Sequence, residues 1–366
     1  MNKWEIVRLG DVCTGKITSI AQKDLADNDG DYPIHGASGL IKYVDFYKYD
    51  KPYVAVVKDG AGVGRVSHMP AKSSVIGTMQ YILPGESIES KFLYYVMSNM
   101  KLARFYTGST IPHIYFKDYK KELIPLPPLP AQQKIVDVLD RVCALIEKRK
   151  VQIKKFDLLV KSQFVEMFSD TDKFEQVTVD SACTRIIGGG TPSKSKPEYY
   201  TGEIPWITPK DMKSALIMDS IDHITEEAVE KSAVKIIPAK SVLMVIRSGI
   251  LKHTLPVAIN TVPVTINQDM KAFIVSNRII PEFLMYTFEA RKNELLSNVR
   301  AVTADNIEFG IIRNLMICLP PIELQKNFAD FVKQANKSKF EMQRGLDKLE
   351  LLYKSLMQKC FKGEVF

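Results

Sequence analysis

Leu126 to Phe168 reads LPPLPAQQKIVDVLDRVCALIEKRKVQIKKFDLLVKSQFVEMF, and Leu319 to Phe361 reads LPPIELQKNFADFVKQANKSKFEMQRGLDKLELLYKSLMQKCF, so the chain carries one stretch twice. A shift of 193 takes Leu126, Pro127, Pro128, Gln132, Asp137, Lys155, Leu158, Leu159, Lys161, Ser162 and Phe168 onto identical residues without a gap. Apolar character persists where identity does not: Ile135 becomes Phe328, Val138 becomes Phe331 and Leu139 becomes Val332. The repeated unit is therefore a whole structural element and not a short motif.

That element reads as a helix. Pro130 fits a first helical turn, where its missing N–H would have had no partner, and the two prolines before it resist joining a helix from upstream. The helix is predicted to start near residue 130. Leu139, Ile146, Ile153, Val160 and Met167 recur every seven residues, flanked by Ile135, Val142 and Phe156, which is the pattern of a coiled-coil seam. In the second copy Phe328, Ala335, Met342, Leu349 and Leu356 hold one row, with Val332, Leu346 and Tyr353 beside it, and Gly363 supplies a stop. Helices of this length reach roughly 55 to 60 Å, more than a compact core needs. Arg149, Gln152 and Gln163 interrupt the first seam, and Lys339 and Gly345 the second; Gly345 alone costs about 1 kcal/mol relative to Ala. Such a helix needs a partner, and the other copy, packed antiparallel within the chain, is the predicted one. The alternative has each helix folding back on the domain before it.

The 366 residues are enough for two ordinary domains plus connectors, and 46% hydrophobic content lets each bury a core. Fifty Lys and Arg against 42 Asp and Glu give a formal charge of +8, which favours a polyanionic partner. Cys13, Cys143, Cys183, Cys318 and Cys360 are odd in number and form no CxxC pair, which argues against a disulfide framework or zinc site. The start, MNKWEIVRLGDV, has no apolar signal core and no run is long enough to cross a bilayer, so a cytoplasmic protein is expected.

Taken in order, the chain divides into a first domain over 1–125, a helix over 126–168, a second domain over 169–318 and a second helix over 319–366. The domains are themselves related. At a shift of 170, Trp4, Glu5, Val7, Cys13, Thr14 and Ile17 fall on Phe174, Glu175, Val177, Cys183, Thr184 and Ile187; at 191, FLYYVMSNMK from Phe92 falls on FLMYTFEARK from Phe283. The ends of each domain are kept while the centres, Gly15 to Gln80 and Ile187 to Asn267, differ in length and content. YVAVVKDGAGVGRV predicts a strand, a Gly-rich hairpin turn and a second strand; SVIGTMQYIL predicts one more strand and KFLYYVMSNM a short helix. SVLMVIRSGI, LPVAI and MKAFIV predict strands in the second domain, and PEFLMYTFEARKNELL one helix. A final strand, in KELIPLP and RNLMICLP, leads into each long helix. The expected class is α+β: two related mixed α/β domains separated by two long helices forming an antiparallel intramolecular coiled coil.

Enzyme signals are weak. GDVCTGK has the Gly and Lys spacing of a P-loop, but Ile17 stands where Ser or Thr must hold magnesium. Gly60, Gly62 and Gly64 are spaced GxGxG and lead into a strand, not into the helix that would receive a pyrophosphate. Asp211-Met212-Lys213 and Asp269-Met270-Lys271 carry a nuclease-like Asp-x-Lys spacing, with no equivalent in the first domain. The five histidines have no metal-ligand spacing, and no Ser sits in a nucleophile elbow. The Asn-Pro-Pro-aromatic or Asp-Pro-Pro-aromatic signature of amino-methyltransferases is absent too. No metal site and no catalytic residue is predicted.

Two variable domains, each followed by an LPPxxxQ hinge and a long helix ending near a Lys-Ser pair, resemble the specificity subunit of Type I restriction-modification systems over essentially the whole chain. GGGTPSKSKPEYYTGEIPWITPKDM from Gly188, and YPIHGASG from Tyr32, are similar to common openings of its target recognition domains. The resemblance implies a DNA-binding, non-catalytic subunit in which each domain reads half of a split sequence and the helices act as a ruler. It implies two modification subunits methylating adenine with S-adenosylmethionine, and restriction subunits using ATP and magnesium, with no cofactor in this chain. Two half-sites on one duplex fit the DNA repeat of about 34 to 36 Å.

Lys and Arg on phosphates should supply affinity and side chains at base edges specificity. The candidates for DNA contact in the first domain are Lys58, Arg65, His68, Ser109, Thr110 and His113. In the second they are Thr191, Ser193, Lys194, Lys196, Lys210, Arg247, Lys252, Arg300, Thr303 and Asn306, with Thr110 and Thr303 coinciding at the shift of 193. The alternative for each is an ordinary solvated surface group, and Trp206 reads as a core aromatic before a stacking platform. Gln132, Gln325 and the hinge prolines Pro127, Pro128, Pro320 and Pro321 are expected to mark repeated exposed docking surfaces for the modification subunits. Two other readings compete: a structural coiled-coil scaffold, and a stand-alone nuclease using the Asp-x-Lys triplets.

Overall fold

Each proline pair opens a helix. The Pro128 carbonyl accepts from Ala131 N and Gln132 N at 2.8 and 3.0 Å, and Pro321 from Leu324 N and Gln325 N at 2.9 and 3.2 Å. The helices that follow are Leu129–Phe168 and Ile322–Lys362, of 40 and 41 residues. Gly363 stops the second in the left-handed region, at φ 71°, which glycine enters without a Cβ clash.

The computed structural model describes residues 4–108, 112–301 and 305–365. It divides into Met1–Val151 with Gln343–Phe366, and Gln152–Met342, so each unit holds the start of one long helix and the end of the other.

In the first unit the strand Glu5–Arg8 pairs antiparallel with Leu123–Leu126 at the root of the long helix. A four-stranded sheet follows in the order Cys13–Ile17, Met79–Pro84, Tyr53–Val57, Val66–Met69. The central strand Tyr53–Val57 is buried at every residue, as its unbroken apolar run requires when both faces are covered. A smaller sheet joins Gly39–Val44, Tyr32–Gly36 and Ser74–Val75, the last two parallel. SVIGTMQYIL is thus two strands in two sheets: Met79 N bonds back to the Ile76 carbonyl and turns the chain between them.

The second unit repeats this plan. Glu175–Thr178 pairs with Met316–Leu319 at the root of the second helix. The main sheet runs Cys183–Gly188, Met270–Val275, Val242–Val245, Val257–Asn260, Leu216–Ile217, and a smaller one joins His223–Ile224, Ile204–Ile207 and Thr265–Ile266. Ile204–Ile207 pairs parallel with Thr265–Ile266, the place Tyr32–Gly36 takes in the first unit, so YPIHG and IPWI are two fillings of one position. The single helix predicted for PEFLMYTFEARKNELL breaks into Pro281–Ala290 and Lys292–Ser297. Arg291 leaves helical geometry at ψ 10°, and its guanidinium bonds the Met316 carbonyl and the Glu294 carboxylate.

The helices pack antiparallel in both units. In the first, Ile135, Val136 and Leu139 share a core with Met357, Cys360 and Phe361, and Lys150 lies 3.5 Å from Glu350. In the second, Phe164 and Phe168 pack on Phe328 with centroids 5.3 and 5.7 Å apart, and Lys339 bonds Asp157 at 2.6 Å. Helix ends dock on domain helices by duplicated contacts: Phe361 meets Phe92 at 6.0 Å, and Phe168, its counterpart at the shift of 193, meets Phe283 at 4.8 Å. Aromatic pairs at these distances add about 0.5–1.5 kcal/mol beyond the area they bury. The predicted intramolecular pairing therefore holds.

Candidate nucleic-acid interface

In the first unit the chain turns tightly between Tyr53–Val57 and Val66–Met69. Val57 N bonds the Arg65 carbonyl and Gly64 N returns to the Val57 carbonyl, at 2.9 and 2.8 Å, the hairpin that the glycine spacing predicts. Gly64 has φ 81°, and a Cβ there would lie 2.5 Å from Ala103 N, so no other residue fits without moving the backbone. A returning segment closes over this turn: Ile114 N bonds the Lys58 carbonyl at 2.9 Å, Gly60 N bonds the Pro112 carbonyl at 3.0 Å, and Asp59 pairs with His113. The Gln80 amide, 1% exposed, anchors that segment from the sheet by accepting from Phe116 N at 3.0 Å.

Lys58 bonds the Asp59 carboxylate and stands 5.8 Å from the Tyr115 ring, with Lys117 5.6 Å from the same ring and the His113 ring tilted against it at 5.7 Å. Tyr115 and Lys117, absent from the sequence candidates, complete a basic and aromatic cluster beside a groove of about 370 Å³ that they line with Ile17 and Lys120. Arg65 bonds the Ala37 carbonyl at 3.0 Å and ties the YPIHGASG turn to the hairpin.

The second unit builds the same frame from other side chains. Ile307 N bonds the Ile246 carbonyl at 2.9 Å, and Arg247 pairs with Asn306. Since Asn306 is the counterpart of His113 at the shift of 193, Arg247 stands where the first unit has Asp59. Asp269 aims the arginine, accepting from its Nε at 2.6 Å while its second oxygen accepts from Asn267 Nδ2 at 2.9 Å. Lys252 lies 3.6 Å from the nearly buried Asp305, and Thr191 bonds Gln268, next to Asp269. Arg300 is backbone-paired with Asn306. Lys271 stands over the Phe309 ring at 4.7 Å, and burial lowers its pKa. No local sequence pattern marks Asp269 or Asp305 as partners of Arg247 and Lys252, because the contacts come from strand pairing.

Other candidates lie elsewhere. His68 is half-buried against the domain helix Ser90–Asn99, 3.1 Å from Ser90 Oγ, and burial, then Lys91, lowers its pKa. It does not belong to the hairpin-tip cluster, because it sits at the far end of Val66–Met69, opposite Val54. Ser193, Lys194 and Lys196 are on an exposed loop, where Ser193 meets Ser195 at 2.8 Å and Lys196 bonds the Tyr199 hydroxyl at 3.0 Å. Lys210 pairs with Asp222 at 2.6 Å beside the smaller sheet. Trp206 is 7% exposed, with Nε1 bonded to the Gly190 carbonyl, and is a core residue. Ser109, Thr110 and Thr303 lie outside the described residues.

Gln132 and Gln325 correct an expectation: both are 0% exposed, bonded wholly within the chain and closed to a docking partner. Pro127 and Pro320 are buried, while Pro128 and Pro321 are exposed.

The enzyme-like motifs dissolve into the fold. Cys13–Ile17, the end of the P-loop-like stretch, is a strand paired with Met79–Pro84. Asp269 is engaged by Arg247 and Asn267, and no group of three His, Cys, Asp or Glu gathers to hold a metal among the described residues. Burial pushes the Cys13 and Cys183 thiols up to about 12, far from the thiolate a nucleophile needs.

A frame kept in duplicate with different chemistry on each copy defines a tandem-domain protein that presents two distinct surfaces. The chain belongs to the Type I restriction modification DNA specificity domain family, whose model matches residues 1–155 and 172–351. It is 31% identical over 256 residues to the Escherichia coli EcoR124I/EcoR124II specificity subunit, covering 66% of this chain and 62% of that one. It is 32% identical over 149 residues to the Methanocaldococcus jannaschii MjaIX specificity subunit, covering 39% of this chain and 34% of that one. The matches thus span less than two thirds of either relative. The fold is shared with the S subunit of the M. genitalium Type I system, at TM-score 0.61 and 14% identity over 98% of this chain and 96% of that one. A second solved chain, from a study of type I R-M complex assembly, matches at TM-score 0.62 and 17% identity over 99% and 98%. No helix among the described residues is long and apolar enough to cross a membrane.

Proposed function

We propose that this chain reads DNA sequence for a Type I restriction-modification complex, each domain recognising half of a split target while the long helices set the gap. The observation that carries this reading is the pair of loop clusters, with Asp59 and His113 in one where Arg247 and Asn306 stand in the other. Arginine matches guanine edges, asparagine adenine, and a carboxylate the cytosine amino group, so one frame bears two specificities. Membership of the specificity family supports DNA as the partner. Methyl transfer to adenine from S-adenosylmethionine, and ATP- and magnesium-dependent translocation and cutting, fall to modification and restriction subunits, leaving this chain a non-catalytic role.

The proline hinges remain the docking candidates for two modification subunits. Pro127 and Pro128 line a groove of about 520 Å³ with Trp4, Glu5 and Leu126, and Pro320 and Pro321 line one of about 490 Å³ with Phe174, Glu175 and Leu319. Matched grooves suit one partner segment bound twice.

Methylated adenines mapped across the host genome test the reading. Exchanging residues 1–125 for those of another family member should change one half of a split motif, and exchanging 169–318 the other. An unchanged pattern would favour the scaffold reading, and metal-dependent cutting by the purified chain the nuclease.

A further inference from the structure

Two buried glutamines repeat one hydrogen-bond pattern in full. Gln132 Oε1 accepts from Glu89 N at 2.8 Å, and its Nε2 donates to the Ser87 carbonyl at 2.9 Å and the Pro127 carbonyl at 2.8 Å. Gln325 Oε1 accepts from Ile280 N at 3.0 Å, and its Nε2 donates to the Arg278 and Pro320 carbonyls at 3.0 and 2.8 Å. Glu89 and Ile280 are the N-cap residues of the domain helices Ser90–Asn99 and Pro281–Ala290. In each unit one side chain in the first turn of a long helix therefore grips the start of a domain helix and the hinge proline behind it.

Only an amide supplies one acceptor and two donors in this fork; a carboxylate lacks the donors and an aliphatic chain lacks all three. With neither glutamine exposed, water cannot replace a lost bond, and leaving buried backbone groups unmatched is costly. The three bonds fix the direction in which the long helix leaves its domain, which packing by Pro127 or Pro320 alone would not.

We propose that Gln132 and Gln325 are positioning residues for gap length: they hold each domain at a set angle to its spacer helix, so that only one separation of half-sites is read. This rests on the split-target reading above. The full chain, wild type and with Gln132→Met or Gln325→Met, is incubated with a pool of duplexes of randomised sequence, and the bound fraction is sequenced. The wild type should enrich two half-sites at a single gap. Each variant should enrich the same half-sites with gaps a base pair shorter and longer, its preference for the original gap reduced about tenfold.

A variant that keeps the wild-type gap distribution overturns the proposal, and so does uniform weakening at every gap, which is what a merely structural role would produce. If a methionine variant fails to fold, Gln132→Glu and Gln325→Glu keep side-chain length and the accepted bond while removing amide donation; the same broadening is expected, and a single sharp gap would again overturn the idea. A wild-type chain that enriches no split motif would instead sink the split-target reading itself, and the gap-length role with it.

Discussion

Lys194 is exposed on the loop after Gly190 and makes no ion pair among the described residues, unlike Lys210, already held by Asp222. A free ammonium group can neutralise a phosphate without first breaking a bond. Lys194→Ala is expected to weaken DNA binding alike for all sequences and to lower the slope of log affinity against log salt by about 0.9, measured by titration at several salt concentrations; an unchanged slope would remove Lys194 from the interface. Which residues meet was partly legible from the sequence. The shift of 193 set Asn306 opposite His113, and strand pairing puts both in equivalent places. It said nothing of Asp269, whose hold on Arg247 crosses from one strand end to another, and a hydrophilic pattern could not separate His68 at one end of its strand from Arg65 at the other. Nor could it tell a buried glutamine from an exposed one, since burial of Gln132 depends on backbone groups far from it in sequence.

The long helices were the most legible elements, because prolines mark where they begin and a seven-residue rhythm sustains them. Their interruptions are less damaging than the pattern suggests. A Cβ added at Gly345 would meet nothing within 4 Å, so Gly345→Ala should stabilise the protein by about 0.5–1 kcal/mol by restricting the unfolded chain and favouring helix, read as a rise in denaturation midpoint with the slope unchanged. Destabilisation would show that the glycine serves a close approach. Leu158 and Leu159, with their counterparts Leu351 and Leu352, fall outside the predicted seam and are 63%, 48%, 70% and 54% exposed. Shorter elements were harder to read. Ser74–Val75 and Met79–Pro84 looked like one strand because their residues are apolar throughout, yet they enter different sheets.

Across the whole molecule, the duplication told the most, since it gave the order of domains and helices and their antiparallel pairing before any contact was known. Inserting four residues into both long helices, a rise of about 6 Å in each, is expected to lengthen the gap in the DNA target while both half-sites stay as they were, read from methylated adenines or from enriched duplexes. Half-sites that changed instead would mean that the helices shape recognition. The docking of Phe361 on Phe92 and of Phe168 on Phe283 has a hereditary consequence. Each unit holds the start of one long helix and clasps the end of the other. On the proposed split-target reading, the two words can drift one at a time, by local mutation or recombination, whereas the interval between them changes only with the helices or with the joints that fix them to the domains.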